Sequence, residues 1–125
     1  MVAVLPPLLS DQPPDLAQRA GLGDRFHYFR GRSGHRYLFS VVRPDELAAF
    51  ESAVVIRAVP AGRGRLAAHA ISVIDHCGRP LDGRHPWPRL AAASERVLVH
   101  LLTDDEAGRH ELVDDIAGQS MAIAA

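Results

Sequence analysis

The sequence predicts a single α+β domain in which an antiparallel four-stranded meander is followed by a helix, a strand and a second helix. Residues 26–75 contain aromatic and β-branched runs separated by turn residues, which is typical of hairpins. Residues 86–118 instead alternate helical patterns with one apolar run. The length of 125 residues fits one hydrophobic core. We therefore expect about five strands, with the helices packed on one sheet face, over residues 25–125.

Four strands are predicted in the first half of this domain. Segments 26–29 and 35–42 flank a turn with two glycines and predict one hairpin. Segments 53–59 and 66–75 flank a second glycine-rich turn and predict another. Consecutive strands with short connections usually pair with their neighbours, so the expected strand order is 1-2-3-4.

The last forty residues predict the helix-strand-helix unit. Prolines and alanines favour a helix over 86–93, and the apolar run 96–102 resembles a strand covered on both faces. The crossover through this helix is long enough to place the fifth strand parallel to the fourth. Thr103 and Glu106 have capping-box spacing, which predicts the start of the final helix. Its apolar stripe comprises Leu112, Val113, Ile116 and Ala117, and Gly118 is placed to end it.

Residues 1–24 predict an extended amino-terminal arm with a short helix over 15–20, because two proline pairs interrupt any longer element. The arm contains Leu5, Leu8 and Leu9. These leucines gain from burial either in the chain's own core or against a partner. The segment lacks a basic leader, and no run approaches the roughly 20 apolar residues of a membrane-spanning helix, which predicts a cytoplasmic protein.

Composition excludes several kinds of chemistry. Fourteen basic residues, all arginine, face fifteen acidic ones, and the net charge of −1 produces no global attraction to nucleic acid or anionic lipid. The absence of lysine excludes Schiff-base chemistry and a P-loop lysine. Cys77 is the single cysteine, so the chain forms no internal disulfide and no cysteine-rich zinc site, which favours a reducing compartment.

A candidate metal site is formed by His69, Asp75, His76 and His85, whose donors suit zinc. Strand alternation opposes the full set, because it places His69 and Asp75 on one face and His76 on the other. No HExxH or paired Cys-x-x-Cys pattern supports the site. We therefore expect no cofactor, with zinc as the alternative.

The loop before residue 88 is a candidate small-ligand site. Arg79, Arg84, His85 and Trp87 combine positive charge, an imidazole and a large aromatic ring, and the helix that is predicted to follow attracts anions. The structural alternative is that Trp87 fills the core while glycines and prolines shape the turn.

Two arginine clusters form the third candidate site, for phosphate or RNA. Arg30, Arg32 and Arg36 surround the first hairpin turn, and Arg63 and Arg65 surround the second. In a four-stranded meander both turns lie at the same end of the sheet, where they would form one positive patch beside two tyrosines. The alternative is an ordinary solvated turn surface.

No catalytic set is recognisable, since no serine lies in a Gly-x-Ser-x-Gly elbow and adjacent His76 and Cys77 point to opposite strand faces. The leading hypothesis is therefore a small cytoplasmic, non-catalytic binding or regulatory domain. It acts through protein contact and self-associates through a sheet face, a sheet edge or the arm leucines. The metal or small-ligand site and the phosphate or RNA site are the alternatives, and no membrane partner is expected.

Overall fold

The computed structural model describes residues 2–11, 25–43, 45–46, 52–74, 95–103 and 105–124. These residues form six strands and one helix: β1 (Val2–Leu9), β2 (Phe26–Arg30), β3 (Arg36–Val42), β4 (Ala53–Gly62), β5 (Arg65–Ile74), β6 (Arg96–His100) and α1 (Glu106–Ala124). All six strands belong to one antiparallel sheet with the order β1-β5-β4-β6-β3-β2. Both predicted hairpins are present, as β2–β3 and β4–β5.

The predicted meander followed by a helix-strand-helix unit is wrong, because β6 lies between β3 and β4. Val99 pairs with Ser40 of β3 on one side and with Val55 of β4 on the other. This strand is almost entirely apolar, and a central position buries both of its faces, which outweighs the tendency of consecutive strands to pair. β6 is also antiparallel to β4, not parallel. The described residues contain one helix, and the helix predicted over 86–93 lies outside them.

The insertion of β6 reverses the expected direction of the second hairpin. Because β6 is antiparallel to both neighbours, β3 and β4 run in the same direction. The β2–β3 turn therefore lies beside the carboxyl end of β6. We call this end of the sheet the helix end. The β4–β5 turn lies beside Arg96, at what we call the open end. Its two central residues, Arg63 (φ 55°) and Gly64 (φ 73°), have the positive φ values that a two-residue hairpin turn requires.

The sheet is curled so that its first and last strands meet. The Asp11 amide, just after β1, donates a 2.8 Å hydrogen bond to the Tyr28 carbonyl of β2. The Asp11 carboxylate also accepts from the Arg30 guanidinium at 3.1 Å. Closure of this kind provides hydrogen-bond partners for backbone N–H and C=O groups that would face solvent at the edges of an open sheet.

β1 arises from the segment that the sequence assigned to an extended arm. Two of its leucines, Leu5 and Leu8, are buried in the main core, whereas Leu9 is 44% exposed. Of the two alternatives for these leucines, burial in the chain's own core is therefore the one that the structure has for Leu5 and Leu8. The short helix predicted over 15–20 lies outside the described residues.

The main core lies inside the curled sheet and receives side chains from every strand and from the helix. The largest members are Leu5, Leu8, Phe29, Phe39, Ile56, Leu66, Ile71, Leu98, Leu112 and Ile116. The Phe29 and Phe39 rings are perpendicular, with centroids 5.6 Å apart. A second cluster, Ala53, Val55, Ile74, Val97 and Val99, is buried on the outer face of the same strands. Burial on both faces confirms the sequence-based interpretation of β6.

Helix α1 packs against both edge strands at the helix end. Its predicted apolar stripe is confirmed, since Leu112, Val113 and Ile116 are buried. The predicted cap is wrong: Asp105 accepts from the Gly108 amide, whereas Thr103 hydrogen-bonds to the His100 ring at 2.9 Å. The helix also continues past Gly118.

Candidate functional site

The described residues contain only a small part of the two candidate sites in the second half of the chain. Of the candidate metal ligands, His69 is described on β5, and Asp75, His76 and His85 lie outside the described residues. The candidate loop residues Arg79, Arg84, His85 and Trp87 lie outside them as well. Within the described ranges, no three His, Cys, Asp or Glu side chains are grouped to hold a metal ion.

The five arginines of the third candidate site come from two turns that lie at opposite ends of the sheet. Arg30 and Arg36 flank the first turn, and both contact the Asp11 carboxylate, at 3.1 and 3.7 Å. Arg32 follows in the same turn, whereas Arg63 and Arg65 belong to the open end. The position of β6 reverses β4 and places the second turn at the other end of the sheet, but Arg65 donates to the Ser10 carbonyl, next to the Asp11 that Arg30 and Arg36 contact. One joint patch of the five arginines stays a prediction.

The open end contains a half-enclosed cavity of about 440 Å³. Its apolar lining includes Val41, Pro60 and Leu66, and its polar lining includes His27, Arg65 and Arg96. These residues come from β2, β3, β4, β5 and β6, so the cavity exists only because the sheet is curled. A cavity that combines apolar and polar side chains at the mouth of a curled sheet is a common form of small-molecule site.

Arg65 is held in place at the rim of this cavity. Its Nε donates to the Ser10 carbonyl at 2.8 Å, and the buried Ser10 hydroxyl accepts from the Leu66 amide at 2.9 Å. In the described part of the chain, the terminal guanidinium nitrogens of Arg65 have no hydrogen-bond acceptor. A guanidinium fixed through Nε loses less conformational entropy when the terminal nitrogens bind a ligand.

The described residues of the cavity lining include two cationic side chains. Arg65 and Arg96 contribute guanidinium groups, and no carboxylate is among the described residues that line it. Glu95 precedes Arg96 but contacts Arg57 on the outer face, at 2.6 Å. A partly desolvated lining of this kind attracts anions more strongly than the same charges would in open solvent.

Sequence reasoning identified Arg65 but missed its neighbours in the cavity. His27 and Arg96 are almost seventy residues apart in the chain and belong to strands that show no motif. The signal that could have found them is the strand order, because only the central position of β6 brings Arg96 to the same end as the second hairpin turn.

A polar network at the helix end fastens α1 to the β2–β3 turn. The Asp115 carboxylate accepts from the Ser33 amide (2.8 Å), the Ser33 hydroxyl (2.6 Å) and the Tyr37 hydroxyl (2.7 Å). Burial alone raises the pKa of Asp115, but hydrogen bonds from Ser33 and Tyr37, with the nearby His35, outweigh it and hold that pKa below its ordinary value. Burial and then the bond to Asp115 raise the pKa of Tyr37 to about 12. These hydrogen bonds hold the helix against the hairpin, so we assign the network a role in stability.

We expect Asp115→Asn to lower the free energy of unfolding by about 2 kcal/mol at pH 7, because an amide nitrogen replaces one accepting oxygen. A lowered folded-state pKa contributes stability that is present above the unfolded value of 3.8 and is lost as the pH falls through the folded value. The difference between wild type and variant should therefore shrink below pH 4. Urea unfolding at a series of pH values measures the free energy of unfolding of both proteins. A difference between them that stays constant down to pH 2 would contradict the stabilising role of the ionised Asp115.

A second histidine at the helix end, His100, has a structural role. Its Nδ1 donates to the Leu38 carbonyl at 2.8 Å, so its neutral Nε2 accepts from the Thr103 hydroxyl. Burial lowers the pKa of His100, and the bond to Leu38 opposes that shift only partly. The ring therefore stays neutral and accepts a hydrogen bond from the Thr103 hydroxyl, the group that the sequence assigned to the helix cap.

Two general findings bear on the site. No helix in the described ranges has the length and apolar character needed to cross a membrane. Comparison with known proteins finds no matching family, no matching curated protein and no matching solved structure.

Proposed function

We propose that this protein is a small binding protein that takes an organic anion into the cavity at the open end. The observation that supports the proposal most directly is Arg65, whose Nε is fixed by the Ser10 carbonyl beside an apolar surface. The ligand class that fits is a carboxylate, sulfonate or phosphate attached to an apolar body. A cytoplasmic location remains part of the proposal, supported by the single Cys77.

The cavity matches this ligand class in both size and chemistry. Its volume of about 440 Å³ falls in the range of small-molecule sites. Guanidinium groups recognise planar oxyanions through paired hydrogen bonds. Leu66, Val41 and Pro60 offer the apolar contact that an organic body needs, and inorganic phosphate lacks such a body.

The other two functions expected from the sequence receive less support. Self-association was suggested by surplus leucines, but Leu5 and Leu8 are buried in the chain's own core. RNA binding was suggested by a joint arginine patch, but Arg30 and Arg36 contact the Asp11 carboxylate, which balances part of their charge. The small-anion function therefore agrees better with the positions of these residues.

A pair of fluorescent probes tests the proposal. 8-Anilino-1-naphthalenesulfonate and N-phenyl-1-naphthylamine share an aromatic body and differ in the sulfonate. We expect wild-type protein to bind the sulfonate probe more tightly than the neutral one. Arg65→Gln should weaken the sulfonate probe about tenfold, which corresponds to roughly 1.4 kcal/mol for one charge-assisted contact, and should leave the neutral probe within about twofold.

Arg32→Gln is the matched control, because it removes one exposed arginine from the helix end. It should leave the affinity of both probes unchanged. Thermal unfolding of both variants verifies that each is folded at the titration temperature. Equal sulfonate affinity in wild type and Arg65→Gln, or an equal loss in Arg32→Gln, would refute binding at the open end.

A further inference from the structure

A cluster of three ionisable side chains lies on the outer face of the sheet, apart from the cavity. Arg57 Nε is 2.6 Å from Glu95 Oε1, and the side chains are 7% and 2% exposed. His69 Nε2 is 2.9 Å from the same Glu95 oxygen. The His69 side chain is 39% exposed, so the imidazole extends from a buried carboxylate to solvent.

An irregularity in strand pairing directs His69 toward this carboxylate. Arg57 pairs with Ala70 and Ala58 pairs with Ala68, which leaves His69 as an extra residue on β5. Such a bulge changes the direction of a side chain, and bulges are frequent next to active sites. Burial of an ion pair is also costly compared with apolar residues of similar volume. The fold therefore keeps a costly buried carboxylate with an imidazole nitrogen 2.9 Å from it.

This contact determines which ring nitrogen of His69 is available for chemistry. An ionised carboxylate oxygen repels a ring lone pair at 2.9 Å, so in the neutral ring the proton lies on Nε2, although the contact does not have the angle of a hydrogen bond. In the neutral ring the lone pair then lies on Nδ1. When Nδ1 attacks an electrophile, positive charge develops on the ring, and the adjacent Glu95 carboxylate stabilises it. Arg57 holds that carboxylate in position, as the third group of a catalytic triad does.

We propose that His69 is a nucleophilic histidine that accepts acyl groups from activated carbonyl compounds, with Glu95 as its positioning residue. Nδ1 attacks the carbonyl carbon, the bond from that carbon to the leaving oxygen breaks, and the leaving group departs with the electron pair. The Nε2 proton passes to Glu95, which leaves a neutral acyl-imidazole. Water then cleaves the new bond, releases the acid and returns the ring and its proton. This site is independent of anion binding at the open end.

Diethyl pyrocarbonate is the probe, since its carbonyl carbon reacts with imidazole and releases ethyl carbonate, which decomposes to carbon dioxide and ethanol. His110 is an internal control: its side chain is 42% exposed, and its Nε2 is 3.7 Å from the exposed Glu106. We expect carbethoxylation at His69 to be about tenfold faster than at His110 at pH 8. This factor is below that of an enclosed catalytic group because the ring is partly solvated. Peptide mass spectrometry over time measures both rates in one sample.

The variant Glu95→Gln distinguishes positioning from simple exposure. It keeps the side-chain shape but removes the negative charge, so the rate at His69 should fall to within about twofold of His110. Circular dichroism verifies that the variant is folded, and if it is not, the ratio of the two rates in wild-type protein decides. Equal rates at His69 and His110 in wild-type protein, or an unchanged ratio in folded Glu95→Gln, would overturn the proposal.

Discussion

Replacing Arg57 with methionine is expected to lower the free energy of unfolding by about 3–5 kcal/mol, because it removes the guanidinium that lies 2.6 Å from a buried carboxylate. Methionine fills part of the same volume, so packing loss contributes less than loss of the charge partner. Urea unfolding followed by circular dichroism at pH 7 measures the change.

A double variant separates charge from packing. Arg57→Met with Glu95→Leu removes both charges, and its free energy of unfolding should return most of the way to wild type. Arg43→Met is the surface control, since Arg43 contacts Asp45 and Glu46 but its side chain is 77% exposed, and it should cost less than about 1 kcal/mol. A double variant as unstable as Arg57→Met alone would show that the cluster contributes through shape and not through charge.

Phe29→Ala is expected to lower the free energy of unfolding by about 3–5 kcal/mol as well. Phe29 is fully buried on β2, and its ring meets Phe39 edge to face with centroids 5.6 Å apart. Truncation to alanine removes this aromatic contact and leaves a void among residues from several strands. The same unfolding measurement reports the change.

Phe26→Ala provides the matched control on the same strand. Phe26 is 41% exposed and undergoes the same chemical change, so we expect a loss below about 1 kcal/mol. This comparison tests whether β2, the last strand in the sheet order, is a full member of the closed structure. Equal losses for the two variants would contradict the burial of Phe29.

Local sequence patterns predicted the individual elements well. The two hairpins and the apolar stripe of α1 follow from alternation, turn residues and helical spacing, which act over a few residues. The predicted helix cap was wrong because the helix begins at Glu106, where Asp105 accepts from the Gly108 amide. The sequence also did not predict the pairing between β1 and β5, because Pro6 and Pro7 suggested an arm and not an edge strand.

The candidate sites depended on topology and were therefore harder to predict. An apolar strand near the carboxyl terminus gives no indication of which earlier strands it separates, yet that choice places the two hairpin turns at opposite ends of the sheet. The same choice brings Arg96 to the cavity. His69 was identified as a candidate ligand, whereas its partner Glu95 had no signal beyond its charge. The predictions for Asp75 through Trp87 stay predictions.

The position of β6 also determines the order in which this chain can fold as it leaves the ribosome. The two hairpins are complete by residue 74, but the strand that joins them ends at His100. Until then their facing edges lack the backbone partners of the finished sheet, and contacts of such long sequence separation form slowly. A nascent chain stalled before β6 should thus hold two unjoined halves, prone to pairing with other chains and suited to chaperone binding.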